Sequence, residues 1–130
     1  EQAKKGSKDF VDMIDKLNTS SIQVHIFHWQ TKKKGSLAQH GAFGEYYDAI
    51  PDLLDKLVET YQGKHGILKG YQNYDLVDYS SNSQVIKYFT ELESDVEAIY
   101  PTIKDTYIQN QLDEVKQLIN KTLYKLKFLK

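Results

Sequence analysis

Apolar residues recur at helical spacing along most of the chain, and four segments stand out. Phe10, Ile14, Leu17 and Val24 mark a first helix that opens at Gly6 or Ser7. It is expected to end near Lys34, where Lys32, Lys33 and Lys34 suit the negative end of the helix dipole and Gly35 suits the cap. Ser36 followed by Gln39 reads as a capping box for a second helix, with Leu37, Phe43, Tyr47, Leu54, Leu57 and Tyr61 on its apolar face and Gly63 as its stop. Pro51 falls inside that helix and removes a backbone donor, so a kink is expected there.

Residues 63–80 hold three glycines and three tyrosines without a sustained period, which predicts a long connection with at most one helical turn. Ser81 and Gln84 supply another capping box. Val85, Tyr88, Phe89, Leu92 and Val96 then carry a third helix toward Pro101. A fourth starts near Thr106 and buries Ile108, Leu112, Val115, Ile119, Leu123 and Leu126. Two helices, a crossover and two more helices predict an all-α, ferritin-like four-helix bundle with a long crossover between its second and third helices. Strand-like alternation is scarce, and 130 residues fit one domain, 1–130.

Composition narrows the chemistry. There is no cysteine, which removes disulfides, zinc ribbons, iron-sulfur clusters and thiol nucleophiles, and leaves metal binding to His, Asp and Glu. All seventeen basic residues are lysine, so arginine phosphate clamps are excluded. Basic and acidic side chains nearly balance at a net charge of -1, which excludes a domain that binds nucleic acid through overall charge. A DNA contact would need a local patch such as Lys4, Lys5 and Lys8, a weak footprint that reads more readily as a solvated tail. No apolar run approaches the ~20 residues of a membrane span. The chain opens on Glu1 with no apolar leader core in EQAKKGSKDF, from which a trimmed or processed start and a cytoplasmic location are expected.

Three of the four histidines fall between residues 25 and 40. His25 and His28 lie one helical turn apart, as do Asp55 and Glu59, so each pair shares a face. Imidazole and carboxylate donors together suit iron, zinc or manganese, although each pair alone more often reads as solvated or hydrogen-bonded side chains. The Glu-x-x-His motif of di-iron bundles is absent from the sequence. His40 and Asp55 are separated by roughly 22 Å along an ideal helix, too far to share an ion within one chain. Two copies paired antiparallel near Asp48 would bring His40 of one close to Asp55 and Glu59 of the other.

The stretch HIFHWQTKKKGSLAQH, continuing through GAFGEYYDAIPDLLDKLVET, resembles the metal-binding region of Dps-like mini-ferritins. The shared features are a His-Trp pair, a second His twelve residues on, and an Asp-x-x-x-Glu. The resemblance covers roughly 100 residues and extends to the last helix, where Tyr124 stands in place of a common tryptophan. It implies a ferroxidase centre across a two-fold interface, with His28 and His40 from one chain, Asp55 and Glu59 from its neighbour, and Trp29 beside the centre. It further implies a hollow homo-oligomer, a dodecamer, that oxidises Fe(II) with hydrogen peroxide or oxygen and stores Fe(III). Asp105, Asp113 and Glu114 are expected near an iron-entry pore. One position departs: the family carries Asp four residues after the second His, and this chain has Gly44. The alternatives are a non-enzymatic ferritin-like shell from a phage or other compact genome, or a DNA-protecting protein with weakened ferroxidase activity.

Overall fold

A computed structural model describes residues 2–31, 37–72 and 74–129. Four α-helices form the fold: α1 (Gln2–Gln30), α2 (Leu37–His65), α3 (Asn82–Ile99) and α4 (Thr106–Phe128), with a 3-10 turn at Tyr100–Thr102. They pack as a bundle around one core. Every apolar position expected on the first and last helices is buried, and α2 adds Phe43, Tyr46, Ile50, Leu54, Leu57 and Tyr61.

Helix directions follow from their contacts. Phe10 stacks on Tyr61 at 4.0 Å between ring centroids, the Ser20 and Tyr46 hydroxyls are 2.7 Å apart, and His28 meets His40, so α1 and α2 are antiparallel. Lys125 pairs with Glu45 and Lys56 with Glu114, which sets α4 antiparallel to α2. Asn82 donates to the Leu126 carbonyl and Lys116 pairs with Glu97, which sets α4 antiparallel to α3. Hence α2 and α3 point the same way, and the chain must return along the bundle between them.

It does so beside α1, held by side chains of that helix. The Asp15 carboxylate accepts from Gln72 N–H, Gln23 binds Val77, and Gln30 accepts from Tyr79 N–H at 2.6 Å. These contacts satisfy backbone groups that no helix or sheet would satisfy.

The structure refines several local expectations, beginning with α1, which opens at Gln2, ahead of Gly6 and Ser7. Helix α2 continues through Gly63 to His65, and the chain turns at Gly66 and Gly70, both at φ 97°, where a side chain would be strained. Pro51 lies within a continuous α2 with its ring exposed to solvent, away from the core. Leu37 is 80% exposed at the first turn of α2 instead of buried. Helix α1 is assigned only to Gln30, and the expected Lys32–Lys34 end, the Gly35 cap and the Ser36 half of the first capping box lie outside the described residues. The Ser81 half of the second capping box is present, Ser81 Oγ accepting from Gln84 N–H at 3.1 Å, while Gln84 Oε1 accepts from the preceding Ser80 N–H at 2.7 Å in place of Ser81 N–H. Among the described residues, no helix is long and apolar enough to cross a membrane.

Candidate metal centre

The α1–α2 pair brings His28 and His40 together at one end of the bundle. Their rings stack 3.6 Å apart with 25° between planes. His28 Nδ1 lies 3.1 Å from the His40 carbonyl oxygen, which can only accept, so Nδ1 carries the proton and, in the neutral ring, Nε2 is the nitrogen with the lone pair. A backbone carbonyl bonded in this way commonly orients a metal-binding histidine. Imidazole nitrogens of this kind can ligate iron, zinc or manganese.

Around this pair lies an aromatic cluster. His25 stacks on Tyr47 at 4.2 Å, and Tyr47 meets His28 edge-on at 5.3 Å. Trp29 is 65% exposed and packs on His25 at 4.2 Å. Its ring therefore reaches the expected centre through His25.

Asp55 and Glu59 are exposed farther along α2, on the same solvent-facing stripe as Gly41, Asp48 and Pro51. The structure therefore brings together the two histidines of the expected set and leaves its two acids elsewhere in the same chain. Among the described residues, no group of three or more His, Cys, Asp or Glu side chains within one chain is arranged to hold a metal ion.

Gly44 lies one turn after His40, beside His28. A Cβ built there would meet His28 Cε1 at 3.9 Å and nothing else within 4 Å. The neighbouring acid, Glu45, is turned to the other side of α2, where the Lys125 ammonium binds it and holds its carboxyl below the ordinary value. The acids expected at an entry pore are also engaged: Asp105 lies 2.7 Å from His65, Glu114 lies 3.2 Å from Lys56, and Asp113 is 3.9 Å from Lys116. Lys8 pairs with Asp12 at 3.4 Å, while the side chains of Lys4 and Lys5 lie outside the described residues.

Sequence reasoning missed the clamp beside the histidines. Tyr79 N–H donates to Gln30 and its hydroxyl bonds Gln39, which also donates to Asn82. The connection therefore ties α1 to α2 next to His28 and His40. The only signal was the seven-residue spacing of Gln23 and Gln30, two amides on one helix face facing a connection with no partners of its own.

These features define an all-α four-helix-bundle protein with a paired-histidine site between its first two helices. The chain belongs to DUF5856, described as a family of unknown function, whose profile matches residues 28–126 and so spans His28, His40, Asp55 and Glu59. No curated protein and no solved structure matches it.

Proposed function

We propose that the protein is a Dps-like iron protein with a ferritin-like crossover, whose ferroxidase centre forms between two copies of the chain. One copy supplies His28 and His40, the other Asp55 and Glu59, and Trp29 covers the edge of the centre. The observation that carries this reading is the stacked histidine pair, with His28 Nδ1 engaged by a backbone carbonyl and, among the described residues, no third ligand arranged beside it. The parallel α2 and α3, with the connection returning beside α1, support the ferritin-like topology.

Iron is the substrate. Neutral imidazole anchors Fe(II), and carboxylate oxygen favours the harder Fe(III) product. Each Fe(II) gives one electron and hydrogen peroxide takes two, so two adjacent ions with two protons reduce one peroxide to two waters. Assembly into a hollow homo-oligomer, a dodecamer on the family resemblance, would hold the ferric product. Gly44 favours a second reading, a ferritin-like shell with little oxidase activity, because it supplies no carboxylate beside His28.

Aerobic and peroxide-driven Fe(II) oxidation by the sized oligomer tests the proposal. Saturable oxidation is expected, lost in His28→Ala and His40→Ala without change of assembly. An intact oligomer that oxidises iron no faster than buffer would favour the shell.

A further inference from the structure

We propose that a cavity between α1, α3 and the connection is a binding site for a small organic cation, a primary ammonium carried on an apolar body the size of a phenyl ring. The site stands apart from the paired histidines, since Lys16 on its α1 side lies roughly 18 Å along the helix from His28, and it needs no second copy of the chain.

The cavity has a volume of about 190 Å³ and opens to solvent. The connection builds one wall. Gln72 N–H is held by the Asp15 carboxylate and the Val77 backbone by the Gln23 amide, so Tyr74 and Asp75 lie between two anchors on α1. The facing wall is α3, where Tyr88, Glu91, Leu92 and Asp95 recur at helical spacing on one face. Lys16 reaches in from α1 and meets Asp95 at 3.3 Å.

Size and lining set what fits. A cavity of about 150 Å³ admits a benzene ring, so this one takes a ring with a short arm. Leu92 is buried, and the Tyr88 ring is fixed edge-on against Phe27 at 5.7 Å between centroids, which gives the apolar body a preformed surface. The charge is negative, with three carboxylates against one ammonium. That ammonium is committed to Asp95, and Glu91 reaches only the exposed Lys87, at 3.9 Å. Among the described residues Asp75 forms no ion pair. The Tyr46 and Tyr79 hydroxyls are hydrogen-bonded within the chain; among the described residues those of Tyr74 and Tyr88 are not. An ammonium at the rim therefore meets two carboxylates with no close cation, beside tyrosine rings whose faces attract positive charge within about 6 Å. An anion of the same shape is repelled by the same two groups.

The test titrates the protein with 2-phenylethylamine, a cation at neutral pH, and follows heat and backbone amide resonances. Saturable one-to-one binding is expected, with shifts at Tyr74, Asp75 and Glu91, and it should weaken severalfold at about 1 M salt, where screening acts over ~3 Å. 3-Phenylpropionate, with the same ring and the opposite charge, should not bind, and neither should ethylamine, which lacks the ring. Asp75→Asn combined with Glu91→Gln removes both charges at exposed positions and should weaken the amine about tenfold, with the urea midpoint unchanged. Should that variant lose stability, the two ligands of opposite charge decide the matter on the wild type alone. Binding of phenylpropionate as tight as that of the amine, amine binding indifferent to the two substitutions in a folded variant, or shifts confined to other residues would overturn the proposal. No saturable binding of the amine by the folded wild type overturns it as well.

Discussion

Gln23, buried on α1, meets the backbone of Val77 with both polar atoms of its amide: Nε2 donates to the Val77 carbonyl and Oε1 accepts from its N–H, each at 2.8 Å. The side chain replaces a neighbouring strand for one residue of the connection. Gln23→Leu keeps most of the volume but leaves both backbone groups without their partner, and a partly buried group left unpaired costs about 1–3 kcal/mol. Urea unfolding should show a loss in that range. Amide exchange should accelerate first at Val77 and less at Tyr79, whose N–H is still held by Gln30. An unchanged midpoint with unchanged exchange at Val77 would mean the clamp contributes nothing.

Tyr46 makes the fold sensitive to alkali. Its hydroxyl is buried against Ser20, and burial pushes its ionisation far above the ordinary value of 10.0. A folded-state value above the unfolded one gives stability that is fully present below pH 10.0 and lost as pH rises beyond it. Each such group contributes about 1.4 kcal/mol per pH unit to the decline. Tyr88, also pushed up by burial, adds to it. Tyr46→Phe should lose a little stability at pH 8 and show a shallower fall above pH 10 than the wild type, measured by denaturant unfolding across that range. Parallel curves for the two proteins would reject the assignment.

The helices were legible because burial imposes a period: Phe10, Ile14 and Leu17 on α1 and the six positions from Ile108 to Leu126 on α4 are all buried. The Ser81–Gln84 cap was legible because its partners lie three residues apart. Contacts between distant residues left no such trace. Glu45 and Lys125 are eighty residues apart, and the pairing of Gln23 with Val77 has no periodic signature. Leu37 misled because apolarity alone does not bury a first-turn residue whose face meets no other helix in the chain. At the site, the grouping of His28 with His40 was expected from the family resemblance alone, and the packing of α1 on α2 brings their rings together. Asp55 and Glu59 are exposed on α2 away from both histidines, and no intrachain period says what they face.

The exposed stripe of α2 carries Asp48, Asp52, Asp55 and Glu59, and among the described residues none of the four forms an ion pair. Two such stripes facing each other repel until cations occupy the seam. Assembly and metal binding should therefore strengthen each other, on the order of tenfold, with the same factor in both directions. Sedimentation should show tighter association with Mn(II) or Co(II), and weaker association after chelation at low salt. Asp48→Asn, nearest the expected centre of the pairing, should tighten the metal-free assembly. Association indifferent to metal, salt and Asp48 would place the interface on another face.

The division of ligands between two chains can be tested by complementation. Chains carrying His28→Ala and His40→Ala keep both acids, while chains carrying Asp55→Asn and Glu59→Gln keep both histidines. Neither homo-oligomer should bind metal at the centre or oxidise iron through it. In a two-fold pair of one chain of each kind, one of the two centres receives histidines and acids that are all intact, and the other receives none. Random mixing makes about half of the pairs mixed, so co-expression should restore about one quarter of the wild-type centres. The readout is tightly bound Co(II) per chain, with Fe(II) oxidation measured on the same samples. A centre built within a single chain would stay dead in every mixture, because each chain lacks half of its ligands. Recovery near one quarter therefore requires the shared centre, and no recovery in oligomers verified to contain both chains rejects it.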